Sequence, residues 1–182
     1  MAEAPAATLF FALPVPAQVR ALAGRLQEAA RRTLGPARYP ELEGLHITLA
    51  FLGRTDPAQA PALLSLAAGG HPGFMLRTAT TGGFPRPGRA RILWLGFAPQ
   101  PALAALAERL AEALRAARVP FDAKPFTPHL TLARFREPVD LDRIAFPAEE
   151  PLAFPVVELG LYQSVPAPRG NRYQLLGAVP IG

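Results

Sequence analysis

The stretch "HITLAF" at residues 46–51 returns as "HLTLAR" at residues 129–134, and together they hold two of the chain's three histidines. Aligning them pairs His46 with His129 and Thr48 with Thr131. On a β-strand, residues i and i+2 share a face. Each histidine is therefore expected beside its threonine, while Ile47 and Leu49, or Leu130 and Leu132, turn toward a core.

Outward from these frames the sequence repeats. "LFFALPVP" (9–16) and "RILWLGFAPQP" (91–101) are β-rich runs closed by prolines, with Leu9 and Leu93 nearly equally far ahead of their histidines. Each run leads into helical periodicity. Over residues 17–34 the apolar stripe is Val19, Leu22, Leu26, Ala29 and Ala30, with Arg20, Gln27 and Arg31 mostly off it. After residue 101 the stripe is Leu103, Leu106, Leu110, Ala113, Leu114 and Ala117, opposite Glu108, Arg109, Glu112 and Arg115. Beyond the histidine strands, "GFMLRTATTGGF" (73–84) and "AFPVVELGLYQS" (153–164) each read as one strand. Basic loops follow, "PRPGRAR" and "VPAPRGNR", each entering a strand that ends in Leu-Gly, "ILWLG" and "YQLLG". A short helix over 57–68 belongs to the first copy alone. Hairpins mixed with helices predict an α+β fold. The expected architecture is one bilobal unit over residues 1–182, two intertwined repeats of about 1–90 and 91–182 facing each other across a cleft.

Composition narrows the chemistry. The chain has no cysteine, which excludes disulfides, thiolate zinc sites and thiol nucleophiles. Its net charge is +5, and the cations are arginines except for Lys124. Arginine's planar fork suits phosphate oxygens, so a polyanionic partner is compatible with the charge. No apolar run is long enough to span a bilayer, and no basic segment precedes the first one, so a cytoplasmic protein with no membrane partner is expected.

Two histidine–threonine strands facing each other would place two imidazoles around one substrate group. Histidine titrates near neutrality, so one ring can take a proton from an attacking hydroxyl while the other gives one to a leaving oxygen. The threonine hydroxyls can donate to non-bridging oxygens. This suits in-line displacement at a phosphodiester and calls for neither metal nor cofactor. The third histidine, His71 in "GGHPGF", reads as an exposed loop residue.

The paired motifs in "HITLAFLG" and "PHLTLAR", with "RILWLG" between them, resemble the two-histidine phosphoesterase superfamily, and within it the RNA 2′,3′-cyclic phosphodiesterases also called 2′-5′ RNA ligases. The resemblance runs from "LFFAL" to "YQLLG". It implies two mainly antiparallel sheets flanked by helices around a central cleft. It also implies metal-independent opening of a terminal RNA 2′,3′-cyclic phosphate to a 2′-phosphate, with weak, reversible 2′-5′ joining of RNA ends. On this basis His46 is the proton donor, His129 the proton acceptor, and Thr48, Thr131 and Arg134 the phosphate ligands. The implied partner is an RNA 3′ end, tRNA fragments included, and the implied state a monomer.

Five positions beyond each histidine the copies differ, Phe51 against Arg134. Strict alternation would turn both away from the histidine face, so Arg134 needs a bulge or strand end to reach the cleft, and Phe51 reads first as a core residue, second as a base contact. Arg86, Arg89 and Arg91 in one basic loop, and Arg169 and Arg172 in the other, are candidate RNA-backbone contacts. Two other readings stay open: a cyclic phosphodiesterase for a small nucleotide or 2′-5′ oligonucleotide, and a non-catalytic RNA-end binder.

Overall fold

The computed structural model describes residues 7–146, 150–167 and 170–182. In chain order its elements are β1 (Ala7–Pro14), α1 (Ala17–Leu34), β2 (His46–Thr55), α2 (Ala60–Ala67), β3 (Phe74–Phe84), β4 (Ala90–Phe97), α3 (Pro101–Ala116), β5 (His129–Val139), β6 (Ala153–Val156), β7 (Glu158–Ala167) and β8 (Gly170–Pro180). The strands form two four-stranded antiparallel sheets, ordered β2-β1-β7-β8 and β5-β4-β3-β6. This is the expected α+β duplication.

Each sheet draws on both halves of the chain. β7 and β8 complete the sheet begun by β1 and β2, while β3 sits between β4 and β6. Residues 153–164, expected as one strand, are two. β6 pairs with the first residues of β3, and β7 pairs with β1 in the other sheet. Pro155 lacks an N–H to give a ladder, and it lies on the edge strand of its sheet, where proline is tolerated. The chain changes sheets at exposed Val157. The expected likeness of "ILWLG" to "YQLLG" also gives way. β4 lies inside its sheet as β1 does, whereas β8 is an edge, so "ILWLG" is the counterpart of "LFFAL".

The helices form where the apolar spacing predicts. Val19, Leu22, Leu26 and Ala30 of α1 are buried, as are Leu103, Leu106, Leu110 and Leu114 of α3. Gly35 ends α1 at φ 76°, a left-handed conformation that favours glycine. The α3 start carries Pro101 in its first turn, and the Gln100 side chain accepts a hydrogen bond from the Ala102 N–H at 3.2 Å. Both helices cross over: α1 packs near β5 and α3 near β2. Their leucines share one buried core with Phe11, Leu13, Ile47, Leu93 and Leu95 of the sheets. Each such side chain contributes about 1.5–3 kcal/mol when fully buried.

In the 57–68 segment, a 3-10 turn (Pro57–Gln59) leads into α2. Among the described residues the second copy has a 3-10 turn there, Leu141–Arg143. His71 is not the exposed loop residue expected. It is 8% exposed; its Nε2–H donates to the Ala67 carbonyl at 2.9 Å and its Nδ1 accepts from Arg109 at 2.6 Å. Its own carbonyl accepts from Gly182 N–H, so it ties α2, α3 and residue 182 together. Among the described residues no helix is long and apolar enough to cross a membrane.

Candidate active site

His46 and His129 are the first residues of β2 and β5. The two rings are held by the same device. His46 Nδ1–H donates to the carbonyl of Gly44 at 2.7 Å, and His129 Nδ1–H to that of Thr127, also at 2.7 Å. In both copies the carbonyl belongs to the residue two positions earlier. A histidine so bonded is fixed in one tautomer, with Nε2 left as the nitrogen for chemistry.

Aromatic rings orient each imidazole. Phe10 stacks on His46 at 4.7 Å between centroids, and Tyr173 meets it edge-on at 4.8 Å. Phe84 meets His129 edge-on at 5.0 Å and packs against Trp94. The copies fill equivalent space differently. Phe10 lies opposite Tyr162, and Trp94 lies opposite Gly82, where a Cβ would stand 2.3 Å from the indole. The large ring on one strand requires glycine on its neighbour.

Both motif strands carry a bulge at the same place. Phe11 pairs with Ala50 and Ala12 with Thr48, which skips Leu49; Leu93 pairs with Ala133 and Trp94 with Thr131, which skips Leu132. One extra residue reverses the parity of everything after it. Position +5 thereby returns to the histidine face, and the sequence objection to Arg134 is met. Phe51 is likewise not a core residue. It is 46% exposed and lines the same cavity as His46, Thr48 and Arg134.

That cavity, of about 690 Å³, opens on the His46 side of the molecule. Phe10, Ser164 and Tyr173 line it from one sheet, and Arg134 reaches it from the other. His129 and Thr131 are not among its lining residues; Arg134 links the two sides, since its charge acts on both imidazoles. Each histidine is held below its ordinary pKa. Burial is the largest cause, the bond to the backbone carbonyl partly offsets it, and the Arg134 charge lowers it further; His46 also feels His129. Among the described residues no group of three His, Cys, Asp or Glu is placed to hold a metal ion.

The basic-loop arginines part ways. Arg172 lines the cavity. Arg91 donates to the Arg136 carbonyl and lies 3.9 Å from Glu137, away from it. Arg86 and Arg89 are exposed around the β3–β4 turn and do not line it. Arg169 lies outside the described residues.

Comparison with known proteins places this geometry. The sequence model of the 2'-5' RNA ligase superfamily matches residues 9–166. The chain belongs to the 2'-5' RNA ligase superfamily. It is 34% identical over 180 residues to the RNA 2',3'-cyclic phosphodiesterase of Thermus thermophilus, covering 92% of this chain and 87% of that one. It is 35% identical over 129 residues to the Escherichia coli protein of the same name, covering 69% and 70%. The crystal structure of E. coli LigT complexed with 3'-AMP superposes with a TM-score of 0.76 at 31% identity, covering 98% of this chain and 99% of that one.

Within this superfamily member, sequence reading missed several cavity residues. Phe10 had a signal: the alignment that pairs Leu9 with Leu93 also pairs Phe10 with Trp94, an aromatic in each copy, the first stacked on His46 and the second opposite Thr131. Arg38, Glu41 and Glu43 line the cavity from the irregular segment before β2. No periodicity marks that segment.

Proposed function

We propose that this chain hydrolyses terminal 2′,3′-cyclic phosphates of RNA to 2′-phosphates without a metal, with His46 as general acid and His129 as general base. The observation that carries this reading is the recurrence of one imidazole device in both sheets, coupled through Arg134. A binder would need only cations. Two histidines in the same tautomer, each with a free Nε2, supply the proton acceptor and the proton donor that in-line displacement requires.

The lopsided cavity supports the assignment of roles. The leaving oxygen stays on the nucleoside, so the acid belongs on the side where the nucleoside is held, and water attacks from the opposite side. The space for a nucleoside lies against His46. Water then loses its proton to His129 Nε2 as its oxygen bonds phosphorus. The P–O3′ bond breaks, and His46 Nε2–H protonates O3′. Thr48 and Thr131 share the faces of their histidines and donate to the non-bridging oxygens, and Arg134 balances the charge that builds there. Phe51, exposed in the cavity, offers a stacking surface for the terminal base. With a 5′-hydroxyl of a second RNA end in place of water the same steps give a weak 2′-5′ joining of RNA ends, and run backward they break that linkage and restore the cyclic phosphate.

The test is incubation, with chelator present, with an oligoribonucleotide ending in a 2′,3′-cyclic phosphate, followed by identification of the phosphomonoester. A 2′-phosphate product is expected. A 3′-phosphate, or no turnover, overturns the reading.

A further inference from the structure

We infer that Arg38 forms a second phosphate subsite, which engages the internal phosphodiester next to the reacting end and makes an oligonucleotide a better substrate than a mononucleotide cyclic phosphate. The inference rests on the cyclic-phosphodiesterase reading above and extends it.

Arg38 lies in the irregular segment ahead of β2, yet its backbone is locked to β5. Its N–H donates to the Arg134 carbonyl and its carbonyl accepts from the Arg134 N–H, both at 2.9 Å. Residues directly opposed in an antiparallel bridge present their side chains on the same side, with Cα atoms about 5.5 Å apart in a hydrogen-bonded pair. The two arginines therefore rise as neighbours, and both line the cavity. Opposed like charges are unfavourable in such a pair. Among the described residues neither guanidinium has a carboxylate within ion-pair distance. The repulsion is relieved when anions enter.

A cyclic phosphate diester carries one negative charge, and Arg134, coupled to both histidines, is its counter-charge. Glu41 and Glu43 line the same cavity, but among the described residues neither lies within ion-pair distance of Arg38, which leaves its guanidinium for the second phosphate that an oligonucleotide supplies. The far end of Arg38 is also seated. Its guanidinium packs over Gly170, where an added Cβ would stand 2.9 Å from one terminal nitrogen and 3.3 Å from Nε. Gly170 has φ 141°, so both its backbone and its bare α-carbon favour glycine there. Arg172, two residues on in β8, lines the same cavity and adds a further cation to it.

The experiment compares kcat/KM for a nucleoside 2′,3′-cyclic phosphate, for a dinucleotide ending in the same group, and for that dinucleotide with an uncharged methylphosphonate linkage. The wild-type chain is expected to prefer the charged dinucleotide by about tenfold, with the methylphosphonate falling to the mononucleotide level. Arg38→Gln should bring the ratio of dinucleotide to mononucleotide close to one, whereas Arg38→Lys should keep part of it. Equal kcat/KM for the charged and uncharged linkages in the wild type overturns the subsite, and needs no variant to fold. A ratio unmoved by Arg38→Gln overturns the part given to Arg38. Turnover of neither substrate overturns the reaction itself, and is distinguished from both by that silence.

Discussion

At the scale of single residues, the carbonyl two positions before each histidine decides what the ring can do. By accepting the Nδ1–H hydrogen bond, the Gly44 and Thr127 carbonyls leave Nε2 as the nitrogen that can exchange a proton in the cleft. Replacing His46 or His129 with alanine should each lower single-turnover hydrolysis on the order of 10²–10⁴-fold, the usual worth of positioned acid–base catalysis. Rates near wild type for either variant would rule out a paired mechanism. The pH profile follows from the same environment. Both imidazoles titrate below the ordinary histidine value, chiefly through burial, so the bell of kcat/KM should centre on the acid side of that value. A guanidinium nearby disfavours the imidazolium, and its removal restores affinity for the proton. Arg134→Gln should accordingly move both limbs of the bell to higher pH, besides lowering the rate. Limbs that stay in place would show that Arg134 does not face both rings. These two histidines and their threonines were legible in the sequence because the same-face rule needs only the local alternation of four residues. The aromatic rings around them come from other strands, which no local pattern reports.

At the scale of elements, the decisive feature is the bulge in β2 and β5, and it shows where pattern reading stops. Leu49 and Ala50, like Leu132 and Ala133, are apolar doublets that fit the strand in either parity. Alternation is silent there, and only the sheet register reveals the skipped residue. In β5 the doublet is itself a trace, two successive apolar residues in an otherwise alternating strand; in β2 Phe51 and Leu52 extend it to a run of four and hide it. In β5 the bulge has support from outside the sheet. Gln27 of α1, expected on the polar side of its helix, is 5% exposed; its amide donates to the Leu132 carbonyl at 3.1 Å and the Pro40 carbonyl at 3.0 Å. One side chain thus secures the skipped residue of β5 and the segment that carries Arg38. Gln27→Leu leaves both carbonyls without that donor, which costs about 1–3 kcal/mol at the Leu132 carbonyl, where the bond is buried, and less at the half-buried Pro40 carbonyl. Chemical denaturation should show the loss. If Gln27 also aims Arg134, kcat/KM on the cyclic phosphate should fall with it under conditions where the variant remains folded. Lost stability with unchanged kcat/KM would confine Gln27 to holding the fold.

At the scale of the whole molecule, neither repeat makes up a sheet by itself. β1 has its own half's β2 on one side but β7 on the other, while β3 lies between β4 and β6, both from the second half. The repeat, and the expectation that its copies intertwine, came from local motifs; which strands change sheets did not, since sheet membership depends on contacts across the full length of the chain. The helices add to the exchange, as α1 leans on β5 and α3 on β2. Residues 1–90 alone would leave the β7 side of β1 open and strip β3 of both neighbours, exposing unpaired edges that favour aggregation. We therefore expect that neither 1–90 nor 91–182 folds when produced separately, and that the intact chain unfolds in one transition. Trp94, the single tryptophan, reports on one sheet, and far-ultraviolet circular dichroism reports on both. Coincident denaturation curves from the two probes are the expected result. A separately produced half with a cooperative transition of its own, or a Trp94 curve displaced from the dichroism curve, would mean that one lobe stands without the other. The cleft would then lie between two independently folding bodies, and the shared hold of Arg134 on both histidines would depend on how those bodies dock.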